Sequence, residues 1–255
     1  MPLTFWDHLD ELRTTLIRIL VAVAVAASVA FSFKDTLFDI VLAPHRSDFI
    51  TYRLLQAEDF RISLMNVGLT EQFLVHVKVA FCFGLLVASP YILFLLFRFI
   101  SPALYANERR YGRVVVMGGY VMFILGTLIN YFLLFPLTVR FLGTYQVSVD
   151  VTNMLTLDSY IDNLMMLTLM MGLVFELPVV CWLLGKLGLI DRGMMAKYRR
   201  HAFVAILIVA AIITPTGDPF TLFAVSMPIW LLYELSIKVL PKKAPPQPSP
   251  LWEGD

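Results

Sequence analysis

The sequence predicts an all-α polytopic membrane protein, in which six kinked transmembrane helices, the last two of them short, form a cupped, glove-like bundle. Of the 255 residues, 59% are hydrophobic and only 15% are charged, a composition that soluble globular domains do not have. Apolar runs of membrane-spanning character recur along the chain. The predicted spans cover about residues 16–33, 79–97, 114–137, 163–184, 202–214 and 220–233. Prolines within or at the ends of four runs predict the kinks, because proline removes a helical hydrogen bond: Pro90, Pro136, Pro178 and Pro228.

The first helix is predicted to begin at Phe5, after a segment that resembles a capping box. Trp6 and Leu9 start an apolar spacing typical of a helix, with charged residues interleaved. This part should therefore lie in the membrane interface before the chain enters the bilayer at Leu16. Its polar front and the lack of a small-residue cleavage site argue against a cleaved signal peptide.

The connections between the spans differ in charge. Residues 98–113 carry four basic side chains and residues 185–201 carry five, whereas residues 138–162 hold Arg140 against three aspartates. The positive-inside rule places the two basic connections in the cytoplasm, and six spans then place both termini there. The connection 34–78 has mixed charge, and we expect it to be the main extracytoplasmic element and partly helical.

The last two spans are shorter than the roughly 17 residues that an untilted crossing needs. They could form a re-entrant hairpin, or two crossings that thin the bilayer locally. The charges favour crossings without excluding the hairpin. Residues 1–240 are therefore predicted to be a single transmembrane domain, and the proline-rich residues 241–255 a disordered cytoplasmic tail.

The fourth apolar run, residues 163–184, contains one ionisable residue, Glu176. A carboxylate at membrane depth must face protein or water, so neighbouring helices should surround it with a polar recess. Pro178 should bend the helix there and free backbone carbonyls. The alternative is a structural acid that pairs with a neighbouring helix.

Composition also limits the classes of function. The net charge of +1 indicates no nucleic-acid partner, and Cys82 and Cys181 lie inside apolar runs without metal-ligand spacing. No phosphate-binding loop or hydrolase motif occurs. The sequence therefore predicts a protein that is not an enzyme and has neither a metal nor a cofactor.

Several motifs connect the chain to a known family. Residues 8–13, His-Leu-Asp-Glu-Leu-Arg, resemble the HLxELR signature of the TatC family, the polytopic receptor subunit of the twin-arginine protein translocase. Segments similar to the family follow in the family's order at residues 70–73 with Lys78, 99–110, 175–178, 199–200, 214–215 and 228–234. Each motif is weak, but their order is specific. In the turn after Thr214, one extra residue precedes Asp218, which leaves the equivalence of this acid to the family's aspartate open.

The resemblance implies six helices with both termini in the cytoplasm of a bacterial-type inner (plasma) membrane. It also implies that the chain binds Arg-Arg signal peptides of folded cargo and associates with the single-span proteins TatA and TatB. Self-association in the complex is a further expectation. Transport would be powered by the protonmotive force without a nucleotide.

Recognition of paired arginines needs carboxylates, because guanidinium stays charged and can bind carboxylates with two parallel bonds. Glu11 and Glu108 are the predicted acids of the signal-peptide site. Its other predicted members, carried by the resemblance, are Leu9, Arg13, Phe99, Pro102, Leu104, Tyr105 and Arg109. As alternatives, Glu108 could pair with a neighbouring arginine of its own loop, and Glu11 with a base such as Arg18.

Two further groups of residues are assigned. The predicted contacts with a partner helix are Ala211, Ile212, Pro215 and Asp218, and the predicted extracytoplasmic positions are Pro44, Glu71 and Phe73. A competing function is a proton- or cation-coupled secondary transporter with Glu176 as its coupling site. Such transporters usually contain paired repeats, which this sequence does not show.

Overall fold

The computed structural model describes residues 5–56, 60, 62–100, 112–146, 148, 154–214 and 217–240. The predicted tail and six predicted site residues lie outside these ranges: Pro102, Leu104, Tyr105, Glu108, Arg109 and Pro215. Helices dominate the described residues. In chain order they are α1 (Phe5–Phe31), α2 (Lys34–Leu42), α3 (Ile50–Leu54), α4 (Glu71–Ile100), α5 (Gly112–Ile129), α6 (Phe135–Thr144), α7 (Leu157–Phe175), α8 (Leu177–Lys186), α9 (Arg192–Lys197), α10 (Arg199–Ile213) and α11 (Pro219–Val239).

Five helical segments in the described part of the chain are long and apolar enough to cross a membrane. They are Leu9–Phe31, Glu71–Phe99, Val115–Thr144, Leu157–Lys186 and Pro219–Val239. Helix α10 corresponds to the remaining predicted span, but its 15 residues reach only about 22 Å, less than the hydrocarbon thickness of about 30 Å. A sixth full crossing therefore depends on local thinning of the bilayer around α10.

The helices are longer than the apolar runs that predicted them. Helix α11 was expected to be short, but it continues past Tyr233 to Val239. The predicted span ended at Tyr233, because the polar residues Glu234 and Ser236 interrupt the apolar run. The Ser236 hydroxyl donates to the Leu232 carbonyl oxygen at 2.7 Å, so the helical backbone itself accommodates the polar side chain.

The four prolines affect their helices differently. Helices α4 and α11 continue through Pro90 and Pro228. Pro136 instead follows a π-helical segment, Asn130–Leu134, and Pro178 follows the boundary between α7 and α8 at Glu176. Each proline lacks the N–H that donates a helical hydrogen bond, but among these four only Pro136 and Pro178 also follow a change of helix type or a helix boundary.

Close packing at small residues joins the long helices. Helix α1 lies along α4, where a Cβ atom added to Gly84 would be 2.5 Å from the Ala27 backbone nitrogen. Helices α5 and α7 meet at Gly126, where an added Cβ would be 2.5 Å from the Met171 carbonyl oxygen. The buried core between the helices includes Phe135, Ile161, Leu164, Leu167 and Met171.

The connection between α1 and α4 is partly helical and covers one end of the bundle. It contains α2, a 3-10 turn at Ala43–His45 and α3. A short parallel pair of strands, β1 (Leu64–Met65) and β2 (Leu155–Thr156), joins it to the start of α7. The buried Tyr52 hydroxyl lies 2.9 Å from the Pro44 carbonyl oxygen and 2.8 Å from that of Pro136, and burial raises the pKa of Tyr52.

Candidate functional site

A polar cavity of about 310 Å³ lies between the N-terminal end of α1 and the C-terminal end of α4. Its lining is charged or hydroxylated except for one leucine: Asp10, Glu11, Thr14, Thr15, Arg18, Leu95 and Arg98. Asp10, Thr14 and Arg18 are spaced four residues apart, which places them along one face of α1. The Thr14 hydroxyl donates to the Asp10 carbonyl oxygen at 2.9 Å. We call this space the α1–α4 cavity.

Glu11 is the half-buried acid of the α1–α4 cavity. Among the residues that the structure describes, no lysine, arginine or histidine nitrogen lies within 4.0 Å of its carboxylate. The alternative pairing with Arg18 is therefore not formed, although Arg18 lines the same cavity. The Glu11 carboxylate can accept hydrogen bonds from a ligand.

The other predicted members of this site are distributed differently. Leu9 and Arg13 are exposed on α1 and do not line the cavity. Phe99 is half-buried in the last turn of α4. Sequence reasoning did not assign Asp10, Thr14 or Arg98 to the site, and the four-residue spacing of Asp10 and Thr14 was the signal that could have indicated them.

Glu176 is half-buried where α7 meets α8. Its Oε1 atom is buried without a hydrogen-bond partner among the described residues, and its Oε2 atom would lie 2.9 Å from a Cβ added to Gly119. No basic group of the described chain is within 4.0 Å, so the alternative of an ion-paired structural acid is not formed there.

A large groove runs close to this glutamate. It has a volume of about 900 Å³ and is lined by residues of α5, α8 and α11, among them Gly118, Pro178 and Trp182. The lining is mostly apolar. The described lining of this groove therefore contains no charged side chain, and the polar recess around Glu176 stays a prediction.

The predicted extracytoplasmic residues have structural contacts. The Glu71 carboxylate accepts from the backbone N–H groups of Val67 at 3.0 Å, Gly68 at 2.7 Å and Asp158 at 3.2 Å. Lys78 donates to both Asp158 and Asp162 at 2.7 Å. These bonds connect the starts of α4 and α7. Pro44 is buried, and Phe73 is exposed.

The predicted partner-helix residues lie around α10 and the start of α11. Ala211 and Ile212 are exposed on α10, and 70% of Ile212 is accessible. Asp218 caps α11 by accepting from the Thr221 backbone N–H at 2.7 Å. At the opposite end of these helices, Arg199 pairs with Glu234 at 2.8 Å.

The fold and these sites define a polytopic α-helical integral membrane protein, whose described part has an acid-containing cavity at a helix end and an acidic residue within an apolar helical segment. A family model for Sec-independent protein translocase protein (TatC) matches residues 7–228. The chain therefore belongs to the TatC family, as a subunit of the twin-arginine translocase with a role in protein transport.

Named relatives and solved structures agree. The chain is 35% identical to the Sec-independent protein translocase protein TatC of Blattabacterium sp. subsp. Periplaneta americana, over 92% of this chain and 94% of that protein. It is 34% identical to TatC of Aquifex aeolicus, over 93% of each. A crystal structure of the twin-arginine translocase receptor TatC matches with a TM-score of 0.76 at 33% identity, over 91% of this chain and 97% of the other.

Proposed function

We propose that this chain is the receptor core of the translocase, which binds Arg-Arg signal peptides and assembles with TatA and TatB to move folded cargo by the protonmotive force. The observation that carries the proposal is the Glu11 carboxylate, which is half-buried in the α1–α4 cavity without a basic partner in the described chain. This role needs no enzymatic step. The proposal includes a bacterial-type inner membrane, cytoplasmic termini and self-association in the complex.

The charges of the α1–α4 cavity indicate that binding two guanidinium groups would need a further acid. Asp10 and Glu11 supply two negative charges, and Arg18 and Arg98 supply two positive charges. These charges balance, so a ligand with two guanidinium groups would leave the site positively charged. We propose that Glu108, the acid in the connection after α4, supplies part of the missing negative charge.

A photo-crosslinking experiment tests where the signal peptide binds. A photoreactive residue at position 14, in the cavity lining, should crosslink to an Arg-Arg signal peptide in native membranes. Position 25 is the control, because Val25 lies on α1 with 61% of its surface exposed and does not line the cavity. Replacing both signal arginines with lysines should reduce the position-14 product. Equal crosslinking at positions 14 and 25 would contradict the assignment.

We also propose that TatA or TatB helices dock at α10 and the turn to α11, near Ala211, Ile212, Pro215 and Asp218. Helix α10 is short for the bilayer, and a helix added beside it would relieve the thickness mismatch. Crosslinkers on the exposed face of α10 should capture TatA or TatB. Partner crosslinks confined to the exposed face of α1 would exclude this arrangement.

Glu176 is proposed to act in transport at membrane depth, facing a recess that water reaches. Glu176→Gln should fold normally and reduce cargo transport, whereas Glu176→Leu should not destabilise the bundle, because it removes a carboxylate oxygen that has no hydrogen-bond partner among the described residues. A cysteine at position 176 should react with aqueous thiol reagents in native membranes. Resistance to every such reagent would count against the recess.

Gly119→Ala tests the same carboxylate more mildly and should reduce cargo transport less than Glu176→Gln does. The added methyl group would displace the flexible end of Glu176 without removing its carboxyl group. Gly118→Ala is the matched control, since nothing lies within 4 Å of its added Cβ.

The alternative function, a secondary transporter coupled through Glu176, predicts uptake of a small solute by the chain alone. Membership of the TatC family favours the translocase.

A further inference from the structure

A second polar cavity lies at the end of the bundle covered by the connection between α1 and α4. It has a volume of about 480 Å³ and is lined by Lys34, Phe38, Gln72, Phe73, His76 and Leu157. Three elements meet here, because Lys34 begins α2, Gln72 lies in the first turn of α4 and Leu157 begins α7. We call it the Lys34 cavity.

The Lys34 cavity contains basic and hydrogen-bonding groups whose capacity is not used within the described chain. The Lys34 side chain is exposed, and no carboxylate of the described residues lies within 4.0 Å of its nitrogen. His76 is only 9% exposed, and its Nε2 atom is buried without a hydrogen-bond partner among the described residues. A buried polar atom of this kind calls for a partner that the protein itself does not supply.

The neighbouring acids are engaged elsewhere. The Glu71 carboxylate is held by three backbone N–H groups, and Asp158 and Asp162 both bind Lys78. Asp35 follows Lys34 on α2 but does not line the cavity. The cavity is therefore positive, and it has donors from Lys34 and the Gln72 amide. An anion with several acceptor oxygens fits this chemistry.

Its position favours a lipid over a soluble anion. The apolar segment of α1 ends at Phe31 after 23 residues, about 34 Å of helix, which places this end at the edge of the hydrocarbon layer. The Phe31 ring stacks on His76 with 3.9 Å between ring centroids. The exposed Phe73 ring lines the cavity with Lys34, the exposed Phe31 ring contacts the Phe73 ring edge-on with 6.5 Å between centroids, and the exposed Phe33 directly precedes Lys34. This arrangement of apolar rings and a cation suits a phospholipid headgroup with its acyl chains.

We propose that the Lys34 cavity binds the phosphate of an anionic phospholipid in the leaflet on the side of α2 and α3. Lys34 and Gln72 donate to the phosphate oxygens, and a lipid oxygen supplies the partner that His76 Nε2 lacks. Phe38, Phe73 and Leu157 contact the apolar part of the lipid. The site is separate from the α1–α4 cavity, which lies at the other end of α1.

Native mass spectrometry of the full chain, purified in detergent, tests this site. Phosphatidylglycerol should remain bound to the wild-type chain, and Lys34→Gln combined with His76→Phe should weaken its binding about tenfold, since a charge-assisted bond is lost. His76→Phe keeps a ring against Phe31, and Lys34→Arg should retain the lipid. Thermal unfolding of each variant confirms that the fold is intact.

Arg53→Gln is the matched control, because Arg53 is an exposed base on α3, in the same connection between α1 and α4, and lies outside the cavity. This variant should bind phosphatidylglycerol like the wild type. Equal binding by the Lys34 and His76 double variant, or an equal loss in Arg53→Gln, would overturn the site.

Inorganic phosphate that displaces the lipid at millimolar concentration would identify a free-phosphate site and overturn the lipid assignment. Phosphatidylcholine should bind weakly to all variants, and tight binding that is lost in the double variant would overturn the requirement for an anionic lipid.

Discussion

Gly84→Val should separate α1 from α4 and destabilise the protein by about 3 kcal/mol, the upper part of the usual range for overpacked positions. The added Cβ would lie 2.5 Å from the Ala27 nitrogen and 2.7 Å from its Cα atom. Both are backbone atoms of a helix, so no side-chain rotation can relieve the contact. Because the α1–α4 cavity lies between the same two helices, signal-peptide binding should weaken as well.

The measurement is thermal unfolding of the purified protein in detergent, followed by protease sensitivity of α1. Gly118→Val is the matched control, since an added Cβ there meets nothing within 4 Å. It should unfold close to the wild-type temperature. If Gly84→Val and Gly118→Val were equally stable, the close contact between α1 and α4 would be refuted.

The double variant Glu11→Gln with Glu108→Gln should lose signal-peptide binding by a factor of about a hundred or more. Glu108→Gln alone should lose about 1.5 to 3 kcal/mol of binding free energy, ten- to hundredfold in affinity, because in the proposed site each acid would contribute charge-assisted hydrogen bonds to a guanidinium group. Glu108→Asp should lose less. A signal with two lysines should also bind more weakly, since lysine lacks the planar fork of arginine.

The measurement is the affinity of an Arg-Arg signal peptide for each variant in membranes at fixed salt. Asp39→Asn serves as the control, because Asp39 is a largely exposed acid on α2, at the end of the bundle away from the α1–α4 cavity. It should leave the affinity unchanged. A double variant that binds as tightly as the wild type would remove Glu11 and Glu108 from the proposed receptor site.

The class of protein and its family could be predicted from local sequence patterns. Each residue's preference for lipid or water is largely its own property, so five of the six predicted spans correspond to long apolar helices without knowledge of packing. The order of short motifs predicted the TatC family, which the family match to residues 7–228 confirms. The length of α11 was not predicted, because polar residues such as Glu234 continue a helix that hydropathy ends.

The roles of individual acids depended on tertiary contacts. Glu11, Glu71 and Glu176 are the same residue type, but Glu71 is held by N–H groups that include that of Asp158, 87 positions away. Glu11 and Glu176 have no basic partner in the described chain. Tyr52 was not singled out, although its hydroxyl reaches Pro136 across 84 positions. The sequence by itself determined five long apolar helices and the family, because transfer into the bilayer and short motifs are local. Only the tertiary structure decided which polar groups are satisfied, because that depends on which distant residues meet.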